Sequence, residues 1–363
     1  MGFSAFHGNA ETVRRLREMI ARDHLPHGII LTGPRGSGKY TLAQMVGKAV
    51  NCLERPTSDG LPDFCGQCTN CTRIAEADAL EERFNEAVEA RENLRETDKR
   101  ETRIFVQTHP EVLVIPPDPP QMLVKVDQVR HVTAGIYYRP SQARQKFYIF
   151  PESNFIKEAA NALLKVLEEP PEFATILLLA ENSSGLLPTI RSRCITLNLC
   201  PLAPEEIEKL LANRIDWNAQ QRKLVARLSA GAVGRARSFN LTTYLAARQD
   251  ALLLLSSALG SADHSALFKA TETYRAGAEG KEKIDALIAT LYLLLEDLLY
   301  LQSGAADLVR NTDIEQDLSR MARTVSFGWL QAAAERIGEV QAGMRRNLLR
   351  SLSLDAFSAS LEV

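Results

Sequence analysis

Several classes of protein are excluded by what this sequence lacks. Charge of either sign hardly dominates: 43 Lys and Arg stand against 45 Asp and Glu, a net charge of −2. That balance argues against a stand-alone nucleic-acid binder with a broad basic face. Long hydrophobic runs are missing too. The longest, Ala286 to Leu295, ends at Glu296-Asp297 and is too short to span a bilayer, so no membrane partner is expected. Met1 to Phe6 has neither the basic start nor the apolar core of an export signal, and cytoplasm is the expected compartment. Cysteines number only six, and without export they read as reduced thiols or metal ligands, not disulfides. A chain of 363 residues leaves room for two or three domains with sizeable cores.

What is present centres on Gly33 to Thr41, behind the apolar run Gly28 to Leu31. Strand, glycine loop and helical pattern in that order form a phosphate-binding P-loop. Gly33, Gly36 and Gly38 let backbone N–H groups turn inward, and with the helix N-terminus they nest an anionic phosphate. Lys39 adds a point charge for the outer phosphates. The position after it should hold Mg²⁺ through a Ser or Thr hydroxyl, but it is Tyr40, whose phenol is expected to crowd an octahedral shell. Thr41 comes one residue late, a rotation of about 100° on a helix. Lys146 to Phe150 reads as a buried strand. In a P-loop ATPase an Asp-Glu pair at such a strand end serves the metal and the attacking water; here it has become Pro151-Glu152, with Glu152 left as a vestige. Two losses at one metal argue against efficient phosphoryl transfer.

Cys52, Cys65, Cys68 and Cys71 form a second constellation. The last three, at i, i+3 and i+6, cannot share one helical face, but a tight turn with Gly66 and Asn70 can fold them round one ion. A fourth thiolate from the preceding helix completes a closed tetrahedral site, which fits structural zinc. An iron–sulfur cluster and four unconnected buried thiols are the other readings. Cys194 and Cys200 read as packing residues. From Glu76 to Arg103 charges alternate with few apolar residues, the pattern of a solvated helix or a poorly ordered excursion, with a partner-docking arm as the other reading. Beyond Leu241 leucine-rich helical patterns follow, at 252–259, 284–301, 329–337 and 346–357, with no catalytic constellation, as in a packing and oligomerisation bundle.

Glu158 to Pro171 and Leu186 to Cys194 resemble the corresponding phrases of the bacterial clamp-loader ATPases of the AAA+ class, the gamma/tau and delta-prime subunits of DNA polymerase III. His109 to Val112, Asp127 to Arg130 and the cysteine arrangement fit the same family. The resemblance is dense from about residue 6 to 240 and thin beyond, and 76–103 looks like an insertion that most relatives lack. It implies an α/β P-loop AAA+ domain at 1–200, a parallel sheet flanked by helices, carrying a zinc module (52–71) and the charged insertion (76–103). A small helical lid at 201–240 and an all-α collar at 241–363 are implied to follow.

The resemblance also implies roles. Arg193, in Ser192-Arg193-Cys194, would be an arginine finger serving the ATP site of a neighbouring subunit, a planar cation suited to phosphate oxygens and worth about 10³–10⁵ in rate in well-studied nucleotide switches. Arg235 falls where the family has a second nucleotide-sensing arginine. Gamma/tau subunits keep the hydroxyl after the P-loop Lys and the Asp-Glu pair; delta-prime subunits keep the finger and often lose the rest, and Tyr40 with Pro151 place this chain among the latter. The implied partners are gamma/tau and delta subunits and, through the complex, the sliding clamp and primer–template DNA. Implied ligands are structural zinc and weakly held ATP or ADP, with Mg²⁺ in question. Two alternatives stand beside this reading: a hydrolysing gamma-type ATPase using Thr41 and Glu152, and a zinc-bearing DNA-binding adaptor.

Overall fold

Strands without interior polar residues need cover on both faces, and the sheet of this protein has it. The computed structural model describes residues 2–260, 269–274, 277–345 and 349–361. They divide into two compact units, 1–203 with 231–235, and 204–230 with 236–363.

The first unit is built on a six-stranded sheet. In chain order its elements begin with α1 (Ala10–Ala21), β1 (Gly28–Thr32), α2 (Lys39–Asn51), the short pair β2 (Thr57–Ser58) and β3 (Leu61–Pro62), α3 (Thr69–Ala75), α4 (Leu80–Glu92) and α5 (Glu96–Glu101). They continue with β4 (Val106–His109), β5 (Val112–Val114), α6 (Val126–Ile136), β6 (Lys146–Phe150), α7 (Lys157–Glu168), β7 (Ala174–Ala180), α8 (Pro188–Arg191) and β8 (Ile195–Asn198). The strand order is β4-β5-β6-β7-β1-β8. Side chains alternate between the faces, as the pleat dictates. Ile29, Leu31, Phe147, Ile149, Leu177 and Leu179 join Leu16, Leu42 and Val46 from α1 and α2 on one side. Ile30, Tyr148, Phe150, Ile176 and Leu178 meet Val129, Val132, Leu163 and Val166 from α6 and α7 on the other.

Five strands run parallel, but β4 is antiparallel to β5, which corrects the expectation of a wholly parallel sheet. Only Pro110 and Glu111 separate the two strands, and a connection that short can make only a hairpin. The edge strand β8 pairs with β1 in register Ile29↔Ile195 to Thr32↔Asn198. Its half-exposed face left no continuous apolar run to read.

The charged stretch 76–103 is helical, in α4 and α5, but one of its charges is not solvated. Arg91 is 8% exposed and donates from Nη1 to Asp118 Oδ1 at 2.9 Å, with Asp118 itself 4% exposed. Among the described residues of the run Arg91 is the buried charge, and it pins α4 to the segment after β5.

The second unit is helical. Its helices cover Pro204–Leu210, Ala219–Leu228, Leu241–Ala258, Gly277–Gln302, Glu315–Thr324, Phe327–Arg345 and Arg350–Ala359. Leu254, Leu287, Leu291, Leu294, Leu298, Leu318, Ile337 and Phe357 are among its core residues. Within it the fully buried Asp297 carboxylate accepts from the N–H groups of Arg310 (2.9 Å) and Asn311 (3.0 Å) and from Asn311 Nδ2 (2.8 Å), so its charge has the partners that burial demands. Of the leucine-rich pattern read at 346–357, Arg346, Asn347 and Leu348 lie outside the described residues. Among the described residues no helix is long and apolar enough to cross a membrane.

Candidate functional site

The P-loop strand β1 lies between β7 and β8, so the sheet order turns back beside it. Ligands of open α/β sheets bind outside the carboxyl ends of strands at such a point. Three of those ends converge here: Gly33 follows β1, Pro151-Glu152 follows β6, and Glu181-Asn182 follows β7. A cavity of about 710 Å³ opens there, with Gly36, Gly38, Lys39, Tyr40, Thr41, Pro151, Glu152 and Gly234 in its wall. That is room enough for a small-molecule cofactor. Lys39, Thr41 and Glu152 thus share one cavity wall, and Gly33 stands at the head of the same loop.

The glycines are required by geometry at two positions. Gly33 has φ +146°, and an added Cβ would lie 2.4 Å from the Leu199 carbonyl oxygen. Gly36 has φ +81°, and a Cβ there would lie 2.8 Å from the Arg235 backbone nitrogen. The loop is tied to that neighbour, since Gly234 N–H donates to the Gly36 carbonyl at 2.8 Å. The side chain of Arg235 is exposed. Lys39 Nζ folds back, donating to the carbonyls of Gly33 (2.6 Å) and Pro34 (2.8 Å). Burial lowers its pKa, Glu181 and Glu152 oppose that, and Arg35 adds to it.

Tyr40 differs from expectation. Its phenol does not crowd the cavity with a free hydroxyl: the O–H donates to the Ala77 carbonyl at 2.6 Å and accepts from Gln44 Nε2 at 2.6 Å. Burial raises its pKa well above the ordinary phenol value, so it stays a donor. The side chain that replaces a metal-binding hydroxyl is committed to the segment behind the cysteine cluster. Sequence reading assigned no role to Ser153 or Glu181, yet both face the same cavity. Ser153 Oγ is buried without a hydrogen-bond partner. The available signal was their place just past the carboxyl ends of β6 and β7, the two strands that follow β1 along one side of the sheet.

The four cysteines also come together. Cys52 caps the end of α2, and Cys68 and Cys71 lie at and within the start of α3. Their sulfurs all lie within 4.8 Å of one another, with Cys52 and Cys68 4.0 Å apart. Tetrahedral zinc with bonds of about 2.3 Å sets sulfurs about 3.8 Å apart, so the arrangement is compatible with a zinc site. Backbone N–H groups donate to these sulfurs, from Cys65 to Cys52 (3.4 Å) and from Gln67 (3.4 Å) and Cys68 (3.2 Å) to Cys65. Burial pushes the Cys65 thiol up, but those N–H groups and the adjacent thiols outweigh it and bring it down to about 7. Burial pushes Cys71 up. Four sulfurs this close cannot all ionise without a cation among them.

Arg193 sits apart, in the segment between α8 and β8. Nη2 donates to Glu168 Oε1 at 2.8 Å and Nη1 to the Thr189 carbonyl at 2.9 Å, with the guanidinium facing solvent. Cys194 packs as expected in the core beside Gly28, with burial raising its thiol to about 12. Cys200 does not, because its side chain is exposed and only its backbone is engaged, by Asn9.

Residues 8–203, more than half of the chain, match the family described as DNA polymerase III, delta subunit. The chain belongs to that family. It is 27% identical to the DNA polymerase III subunit gamma of Buchnera aphidicola over 301 residues, 81% of this chain and 68% of that protein. With subunit delta' of Bacillus subtilis it shares 25% identity over 311 residues, covering 85% of this chain and 83% of the relative. Subunit tau of Salmonella typhimurium is 26% identical over 345 residues, but the chain spans only 48% of its length. A gamma subunit-related protein of DNA polymerase III from Thermotoga maritima aligns over 97% of this chain and 98% of its own, at 18% identity and a TM-score of 0.38.

Proposed function

We propose that this member of the DNA polymerase III delta subunit family is a clamp-loader subunit of the delta-prime type, which takes part in loading the sliding clamp onto primed DNA and assists a neighbour's ATP chemistry more than its own. The observation that carries the reading is Tyr40: its hydroxyl is bonded to Ala77 and Gln44, so the position that should grip magnesium has no free oxygen. Pro151 at the end of β6 removes a second oxygen ligand. ATP or ADP would be held weakly on the glycine loop by backbone N–H groups and Lys39, with Arg235 beside it. Cys52, Cys65, Cys68 and Cys71 would hold zinc, whose four bonds tie α2 to α3 and leave no coordination position for chemistry. The division into a nucleotide-binding-like domain (1–200), a lid (201–240) and a collar (241–363) belongs to the same reading, with gamma/tau and delta subunits as partners.

Arg193 is the group expected to act in trans. It is exposed and held by only two bonds, so it can be redirected to phosphate oxygens of an adjoining subunit. The test reconstitutes the full chain with gamma/tau and delta subunits. Arg193→Ala should leave assembly intact and reduce DNA-stimulated ATPase of the complete loader by at least about 10³-fold at the affected site. An unchanged rate refutes the role. A gamma-type ATPase is the second reading, favoured by Thr41 and Glu152 sharing the cavity wall. Turnover above about 0.1 s⁻¹ by the isolated chain would select it.

A further inference from the structure

The loop between α6 and β6 has no ladder of its own. Among the described residues, none of 139–145 makes a backbone–backbone hydrogen bond. Side chains hold it instead, and two of them adjoin the cysteine cluster in sequence. Asn51, next to Cys52, is 2% exposed; its Nδ2 donates to the Gln145 carbonyl at 2.9 Å, and its Oδ1 accepts from the N–H groups of Arg144 (3.2 Å) and Gln145 (3.0 Å). Asn70, next to Cys71, is 5% exposed; its Nδ2 donates to the carbonyls of Gln142 (3.2 Å) and Asn51 (2.9 Å). Asn70 Oδ1 faces His109 Nε2 at 3.2 Å, and His109 Nδ1 accepts from Glu111 N–H at 3.1 Å. The Glu111 carboxylate then takes the N–H groups of Ser141 (2.7 Å) and Gln142 (3.3 Å).

We propose that Asn51 and Asn70 are positioning residues through which occupancy of the four-cysteine site sets the conformation of the 139–145 loop. The inference rests on the metal reading of the cysteines. A metal bonded to Cys52 and Cys71 fixes the separation of the residues next to them, and those two amides grip the loop at its middle, Gln142, and at its end, Arg144 and Gln145. Neither amide can turn outward without stranding buried polar groups, so the link is stiff. The loop in turn carries Arg139 and Arg144 to the surface, beside Tyr137 and Tyr138, which are 51% and 73% exposed. The cysteine cluster thereby orders a surface on which it has no atoms.

The test is hydrogen exchange on the full chain, with one equivalent of zinc and after chelation, with bound zinc measured by elemental analysis. Chelation should speed exchange of the Arg144 and Gln145 amides at least about tenfold, while amides of Ile29–Leu31 and Ile176–Leu178 hold their rates. Asn51→Ala should still bind one zinc and exchange rapidly at Arg144 and Gln145 whether or not zinc is present. Should that variant not fold, the chelation arm on the unaltered chain decides alone. Zinc bound but the loop amides indifferent to its removal would overturn this inference and leave the metal reading standing. No zinc bound would overturn both, and protection lost throughout the sheet would refute a link confined to the loop.

Discussion

Arg91 offers the sharpest quantitative test, because its sequence context and its position disagree. Its guanidinium lies 2.9 Å from Asp118 Oδ1, with both side chains less than a tenth exposed. Among the described residues, the other hydrogen bond to that oxygen comes from the Ile104 N–H, at a long 3.4 Å. Arg91→Ala would therefore leave a buried carboxylate with one poor hydrogen bond, a loss of about 3–5 kcal/mol for a broken buried pair. Against a domain stability of roughly 5–15 kcal/mol, that is about a fifth of the total or more. Replacing both partners by apolar groups, Arg91→Met with Asp118→Leu, removes the stranded charge and should recover most of the loss. Urea denaturation of the full chain measures the difference. Exchange of the Ile104 amide assigns it to the first unit, since two units need not unfold together. An Arg91→Ala chain within about 0.5 kcal/mol of the original would refute the reasoning and return 76–103 to the status of a solvated charge run.

Three further outcomes follow from the same geometry. Glu168→Gln, at the exposed Arg193 pair, should shift the unfolding free energy by less than about 1 kcal/mol, because surface pairs are worth little; a loss like that at Arg91 would show the exposure reading to be wrong. Tyr40→Phe should cost about 1–3 kcal/mol in thermal or urea unfolding, since it strands the buried Gln44 amide, while nucleotide affinity in a titration stays unchanged; tighter nucleotide binding would mean that the hydroxyl itself obstructs the nucleotide. His109 predicts a pH slope. Burial holds its pKa below the ordinary value, Arg73 lowers it further and Glu111 opposes. Above about pH 6.5 it is neutral folded and unfolded and contributes no slope. Below that the unfolded chain takes the proton first, so stability falls as pH falls. Urea midpoints between about pH 7.5 and 5.5 should drop for the original chain and drop less for His109→Gln; parallel slopes would remove His109 as the cause.

The sequence by itself determined the parts that local chemistry dictates. The strand, glycine loop and helix at 28–51 need only near neighbours: apolar β-branched residues, glycines at positive φ and a helix start, and all three stand where the spacing put them. The four cysteines were legible for a similar reason, because three lie within seven residues and the fourth ends an adjacent helix. Other features were settled by contacts between residues far apart in the chain. Arg91 is one of sixteen charges in the run 76–103, and nothing nearby distinguishes the one that meets Asp118, 27 residues on. The commitment of Tyr40 to Ala77 and of Asn51 to residues 144–145 spans 37 and about 94 positions. Which way a polar side chain turns depends on which buried donor or acceptor lies within hydrogen-bond distance, and only the closed fold decides that.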